Sequence, residues 1–153
     1  MATRRGERFD LIPAVYGMLR RDGQVLLLRR MATGYGDGRL SLPAGHVEPR
    51  EDLVEALLRE MREEVGITAE RADCILSTVT HRAPEHPDDI ECLDFYFTIL
   101  RWSGEPRVME PDLASEVAWV DSSSLPADTL EYIQLALKAA EFKISFLSIG
   151  WAK

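Results

Sequence analysis

The chain has 153 residues, enough for a single domain with a real core, and 46% of them are apolar. A formal charge of −8 is the wrong sign for gripping a nucleic-acid polymer, and no apolar stretch is long enough to span a membrane. Cys74 and Cys92 are too few and too far apart for a zinc site or a disulfide framework, which leads us to expect reduced thiols and a cytoplasmic protein.

In chain order, residues 1–8 read as a basic, polar tail; with the short apolar run that follows, they lack the pattern of a secretory leader. The runs "LIPAVYGML" and "QVLLLRR" flank "RRDG", and β-branched and aromatic residues on either side of a Gly-containing turn predict a hairpin. "GYGDGRLSLPAG" is a Gly-rich loop with room for one short strand at "RLSL". Residues 51–65 predict a helix, with acids in the first turn and Gly66 at its end. "CILSTVTHR", "CLDFYFTILRW" and "EVAWV" predict further strands, and residues 129–142 a second amphipathic helix. This order implies an α/β protein, a mixed sheet covered on both faces. Residues 143–153 form an apolar tail, and "ISFLSIGW" is hazardous if exposed, so it is expected to pack on the domain or on a second copy in a homodimer.

The stretch "GHVEPREDLVEALLREMREEVGI", residues 45–67, holds seven acids against three bases, a net of −4 and half of the chain's total. On a helical wheel Leu53, Val54, Leu57, Leu58, Met61 and Val65 make one apolar stripe, while Glu60, Glu63 and Glu64 border it within about a 100° sector. Three carboxylates crowded where a helix meets the protein body repel unless a divalent ion lies among them, and oxygen donors of this kind suit Mg2+ or Mn2+. Arg59 at the edge of the cluster is placed to brace a carboxylate from the preceding loop, Glu51 or Glu48. An ordinary charged surface helix laced by i, i+4 pairs is the competing reading.

The same stretch resembles the signature of the Nudix hydrolase family, G-x5-E-x7-R-E-U-x-E-E-x-G-U with U apolar, and it matches at Gly45, Glu51, Arg59, Glu60, Met61, Glu63, Glu64, Gly66 and Ile67. The resemblance implies a Nudix-type α/β/α sandwich over residues 9–142. It also implies divalent-metal-dependent hydrolysis of a pyrophosphate bond in a nucleotide. Carried over by position, Glu60, Glu63 and Glu64 would be metal ligands and catalytic groups, with Gly45, Glu51, Arg59 and Gly66 in structural support. Ala44 stands where the family often has a glycine whose carbonyl also touches metal, and Arg50 stands at a position where glycine is common.

Beyond the signature, the resemblance is to the MutT-like branch. "RWSGEPRVME" nominates Glu110 as a further metal ligand, with a solvated loop acid as the alternative. "VLLLRR" nominates Arg30 as a phosphate-holding residue, unless it is simply exposed at a strand end. In "LPADTLEYI", Asp128 replaces an Asn that pairs with the base, so it either reads the substrate or caps the following helix. His81, Arg82 and His86, in or beside the loop "APEHPDD", are assigned no more than substrate contacts, and Trp119 is read as core. The expected activity is pyrophosphohydrolysis of a nucleoside triphosphate. Hydrolysis of a nucleoside diphosphate linked to another group, such as ADP-ribose or a nucleotide sugar, is the alternative, and a non-catalytic nucleotide sensor the second.

Overall fold

The computed structural model describes residues 9–151; the basic tail expected at 1–8 lies outside the described residues. Strands β1 (Ile12–Arg21) and β2 (Gln24–Arg30) form the hairpin, turned by Asp22 and Gly23 with φ of 52° and 77°. That left-handed pair matches the twist of the strands it joins, which is why Asp-Gly is placed there. Short strands β3 (Leu40–Ser41) and β4 (Ala44–His46) precede helix α1 (Leu53–Val65), and a single 3-10 turn leads into β5 (Cys74–Arg82). Then come β6 (Cys92–Ile99), β7 (Ala114–Asp121), α2 (Glu131–Glu141) and β8 (Phe146–Ile149).

The sheet is mixed. Its order is β3-β2-β1-β6-β5-β8, with β4 added to β1 and β7 added to β2. β1 runs parallel to β6, with Ile12 opposite Cys92 through Leu19 opposite Ile99, and antiparallel to β4. Alternation along β1 divides the core in two. Ala14, Tyr16 and Met18 pack with Val25, Leu27, Ile133 and Leu137 towards α2, whereas Val15 and Leu19 pack with Leu26, Leu57, Met61 and Val65 towards α1. One helix therefore covers each face, and the fold is the α/β/α sandwich that the element order implies. No helix among the described residues is long and apolar enough to cross a membrane.

Helix α1 begins two residues later than the expected range 51–65. The Asp52 carboxylate accepts from the amides of Val54 and Glu55, and the Glu55 side chain returns to the Asp52 amide at 2.8 Å, a capping box that fixes the first turn at Leu53. Gly66 ends the helix at φ 71°, its amide donating to the Arg62 carbonyl at 3.2 Å. Two strands escape the sequence patterns. β4 is only three residues long, and β8 lies within the apolar tail, paired parallel with β5 from Val79 opposite Phe146 to Arg82 opposite Ile149.

Candidate active site

Local geometry explains the residue types in the acidic stretch. Glu51 accepts two bonds from Arg59, Nε to Oε2 at 3.0 Å and Nη2 to Oε1 at 2.6 Å, and one from the Glu48 amide at 2.7 Å. Glu48 itself stands 3.8 Å from the guanidinium, so Glu51 is the braced carboxylate. Arg59 also donates to the His46 carbonyl at 3.1 Å, tying α1 to β4. Hydrogen bonding to Glu51 is the main reason its pKa is raised still further. Arg50 sits at φ 70°, which accounts for glycine being common at that position.

Gly45 leaves room for a carboxylate. A Cβ there would overlap the Glu60 carboxylate, which lies directly against the glycine backbone. Glu60 also accepts from Arg59 Nη1 at 2.7 Å; burial raises its pKa, with Glu63 and Glu110 adding to the effect and Arg59 opposing it. Glu64 is turned inward, its Oε2 accepting from the Ala44 amide at 3.1 Å. Burial, and then the nearby charges of Glu60 and Glu110, push its pKa up to about 8, against the pull of Ala44 and Arg30. Glu63 lies outermost, about half exposed and 3.3 Å from Arg59. The three acids thus do not meet at one point as the helical wheel suggests, and among the described residues no three carboxylates, histidines or cysteines stand close enough to hold an ion as they are. Arg59 bonds Glu60 and Glu63, while Glu64 turns to the Ala44 amide.

A cavity of about 500 Å³ opens beside this helix. Glu64, Glu110, Ala44, Gly45 and Arg30 line its wall; Glu60, Glu63 and Asp128 do not. Arg30 is held in place by the Tyr35 carbonyl at 2.8 Å and Thr33 Oγ1 at 3.0 Å. Asp128 does not cap α2 and does not line the cavity. It is paired with Arg29 at 2.6 Å away from the cavity, and α2 is capped at Leu130 without any side-chain bond. Trp119 packs among the partly buried residues of the α1-side core, stacked near Trp102 with the Arg21 guanidinium 4.2 Å from its ring centroid.

Of the cavity's other lining, the sequence nominated only Arg82, as a substrate contact; the tyrosines around it were not foreseen. Tyr16, Tyr35 and Tyr132 face it together with Arg82, whose guanidinium lies 4.0 Å from the Tyr132 ring centroid. Arg82 is paired at 2.9 Å with the fully buried Asp94. Burial opposes the charge on Arg82, but Tyr16 and Asp94 outweigh it and its pKa is raised. One sequence signal could have found this end: Asp94 within "CLDFYF" is an acid inside an apolar strand, and a buried carboxylate demands a partner.

An α/β/α sandwich that sets a glutamate-rich helix and a backbone glycine beside a deep, partly aromatic cavity defines a class, that of Nudix hydrolases. A profile of the Nudix domain matches residues 10–140, and the chain belongs to the Nudix family. It is 30% identical over 118 residues to an 8-oxo-dGTP diphosphatase of Haemophilus influenzae, covering 76% of this chain and 81% of that one. It is 39% identical over 67 residues to a CTP pyrophosphohydrolase of Escherichia coli, 44% of this chain, and spans 50% of that enzyme's length. A crystal structure of a MutT Nudix hydrolase from Burkholderia pseudomallei superposes with a TM-score of 0.77 at 28% identity, covering 85% of this chain and 98% of the other.

Proposed function

We propose that the chain is a divalent-metal-dependent pyrophosphohydrolase that cleaves a nucleoside triphosphate to a monophosphate and pyrophosphate in the cytoplasm. The observation that carries this reading is the placement of Glu64, a buried carboxylate with a pKa near 8, on the wall of a nucleotide-sized cavity with Glu110 and Glu60 close by. The charges of Glu60 and Glu110 act on the buried Glu64, and mutually repelling carboxylates around a desolvated one fit a hard divalent cation; the Glu60 carboxylate lies directly against Gly45. Glu60, Glu63 and Glu64 would hold Mg2+ or Mn2+, with the Ala44 carbonyl and Glu110 as further donors. Such an ion neutralises phosphate oxygens and acidifies bound water. Glu64, held by the Ala44 amide, would orient the attacking water and, once ionised beside the cation, accept its proton. Arg30, fixed by Tyr35 and Thr33, offers its remaining donors to a phosphate. The names of the two curated relatives, both acting on nucleoside triphosphates, support the triphosphate over a diphosphate-linked substrate.

The test is a nucleoside triphosphate panel with and without Mg2+, identifying the released phosphate, beside Glu64→Gln. Turnover should require the ion and fall at least about 10²-fold in Glu64→Gln. Above about pH 8, where Glu64 is ionised, that variant should melt no lower than wild type without divalent ion, because a neutral amide replaces a buried charge. Undiminished activity in Glu64→Gln would remove this residue from the chemistry.

A further inference from the structure

Arg82 ends β5 in the cavity wall, remote in sequence from the acidic helix. It is held on two sides. Its Nε donates to Asp94 Oδ2 at 2.9 Å, and Thr80 Oγ1 stands 3.3 Å from the same oxygen, so the carboxylate is itself fixed. The flat face of the guanidinium rests over Tyr132. With only 14% of its side chain exposed, Arg82 has little freedom to swing. Among the described residues, neither Nη1 nor Nη2 of Arg82 makes a hydrogen bond. Asp89, in the same wall, spends its carboxylate on the amides of Glu85 and Ile90 and leaves those nitrogens open.

A guanidinium pinned at Nε, with two terminal nitrogens free beside an aromatic-lined cavity, is a fork preset for two neighbouring acceptors. We propose that Arg82 reads the nucleobase and selects a ring edge bearing two adjacent acceptors, N3 and O2 of cytosine or N7 and O6 of guanine. This rests on the nucleotide reading above and moves the base contact from Asp128, which lies outside the cavity lining and is paired with Arg29, to Arg82. Uracil presents a donor at N3, adenine a donor amine beside N7, and 8-oxoguanine a hydrogen on N7, so each meets one arm of the fork with the wrong group. Asp94 and Tyr132 are positioning residues. They set the fork's plane without touching the base through their own polar groups.

Base choice can be read apart from hydrolysis by calorimetric binding of CMP, UMP, GMP and 7-deaza-GMP to the full chain, beside kcat/KM for the matching triphosphates. A matched fork should favour CMP over UMP, or GMP over its 7-deaza analogue, by about tenfold or more. The pair that shows the preference tells cytosine from guanine. Arg82→Lys keeps the charge but loses the planar fork, and should bring the preferred ratio to within about twofold. Equal binding within both pairs in wild type, binding of none of the four, or a preference that survives Arg82→Lys would each overturn the assignment. The wild-type comparison needs no substitution, so it decides even if the variant folds poorly. Discrimination in binding without hydrolysis would retire the pyrophosphohydrolase reading alone; hydrolysis with flat ratios would retire the fork alone.

Discussion

At the scale of single residues, the acidic stretch is shaped by where each carboxylate is allowed to go. Arg59 takes Glu51 by two bonds and holds Glu60 and Glu63 at its other face, while Glu64 is left to the Ala44 amide and to burial. Gly45 decides where Glu60 lies. In Gly45→Ala the new methyl would occupy the carboxylate's place, and because that carboxylate is the end of a flexible side chain, Glu60 moves while the fold survives. We expect a stability loss of about 1–3 kcal/mol from the overpacking and a fall in kcat of up to about 10²-fold from the misplaced carboxylate. Melting curves beside steady-state rates would separate the two effects; an alanine variant as active as wild type would show that the position of Glu60 is unimportant.

At the scale of elements, the tail matters to the sheet. β8 lies beside β5 with Val79 donating to the Ser145 carbonyl at 3.0 Å and Ala83 to the Ile149 carbonyl at 2.9 Å, and Trp151 Nε1 reaches the His81 carbonyl at 3.1 Å. Ile149 packs against the α2-side core, whereas Phe146 and Trp151 remain about half exposed. Ending the chain after Phe142 should therefore remove several sheet bonds and some apolar cover, a loss of about 2–4 kcal/mol that thermal or denaturant melting would detect. A truncated chain that melts with the full one would mean that the strand adds nothing to the domain. β5 carries Arg82 opposite Ile149, so the same truncation should also weaken nucleotide binding.

At the scale of the whole molecule, the two faces of the sheet differ in chemistry. The α2 side buries a tyrosine cluster in which the Tyr16 and Tyr96 rings stack 4.5 Å apart and Tyr132 meets Tyr16 edge-on. Burial raises the pKa of both Tyr16 and Tyr96 well above the ordinary tyrosine value, and the other tyrosines and Asp94 raise them further. A phenol whose folded pKa is raised contributes stability that is complete below its unfolded pKa of about 10 and is lost as pH climbs beyond it. The protein should accordingly unfold in alkali above about pH 10. The Tyr96 hydroxyl finds no partner of good geometry, Thr80 being turned to Asp94. Tyr96→Phe should thus change stability at pH 7 by no more than about 1 kcal/mol while moving the alkaline midpoint upward. Denaturation followed against pH would check both halves, and an unmoved midpoint would exclude Tyr96 as a titrating group.

The sequence by itself determined the family, the sandwich and the acidic helix, because those features are written at short range. A 3.6-residue period, a capping acid and a terminal glycine act between neighbours, and the spacing from Gly45 to Ile67 can be read without knowing what packs on it. What the carboxylates do was less legible: the wheel gives the directions of Glu60, Glu63 and Glu64 but not the pull of Arg59 or the depth at which Glu64 is buried. Only the tertiary structure decided the far end of the cavity. Tyr16, Arg82, Asp94 and Tyr132 come from β1, β5, β6 and α2, and strand register alone sets Tyr16 opposite Tyr96 and Thr80 opposite Asp94. Asp128 shows the converse, since its place before a helix suggested a cap or a base contact, whereas folding brought Arg29 within 2.6 Å and took the carboxylate for an ion pair. Contacts between residues far apart in sequence depend on how strands align, and no local pattern records that alignment.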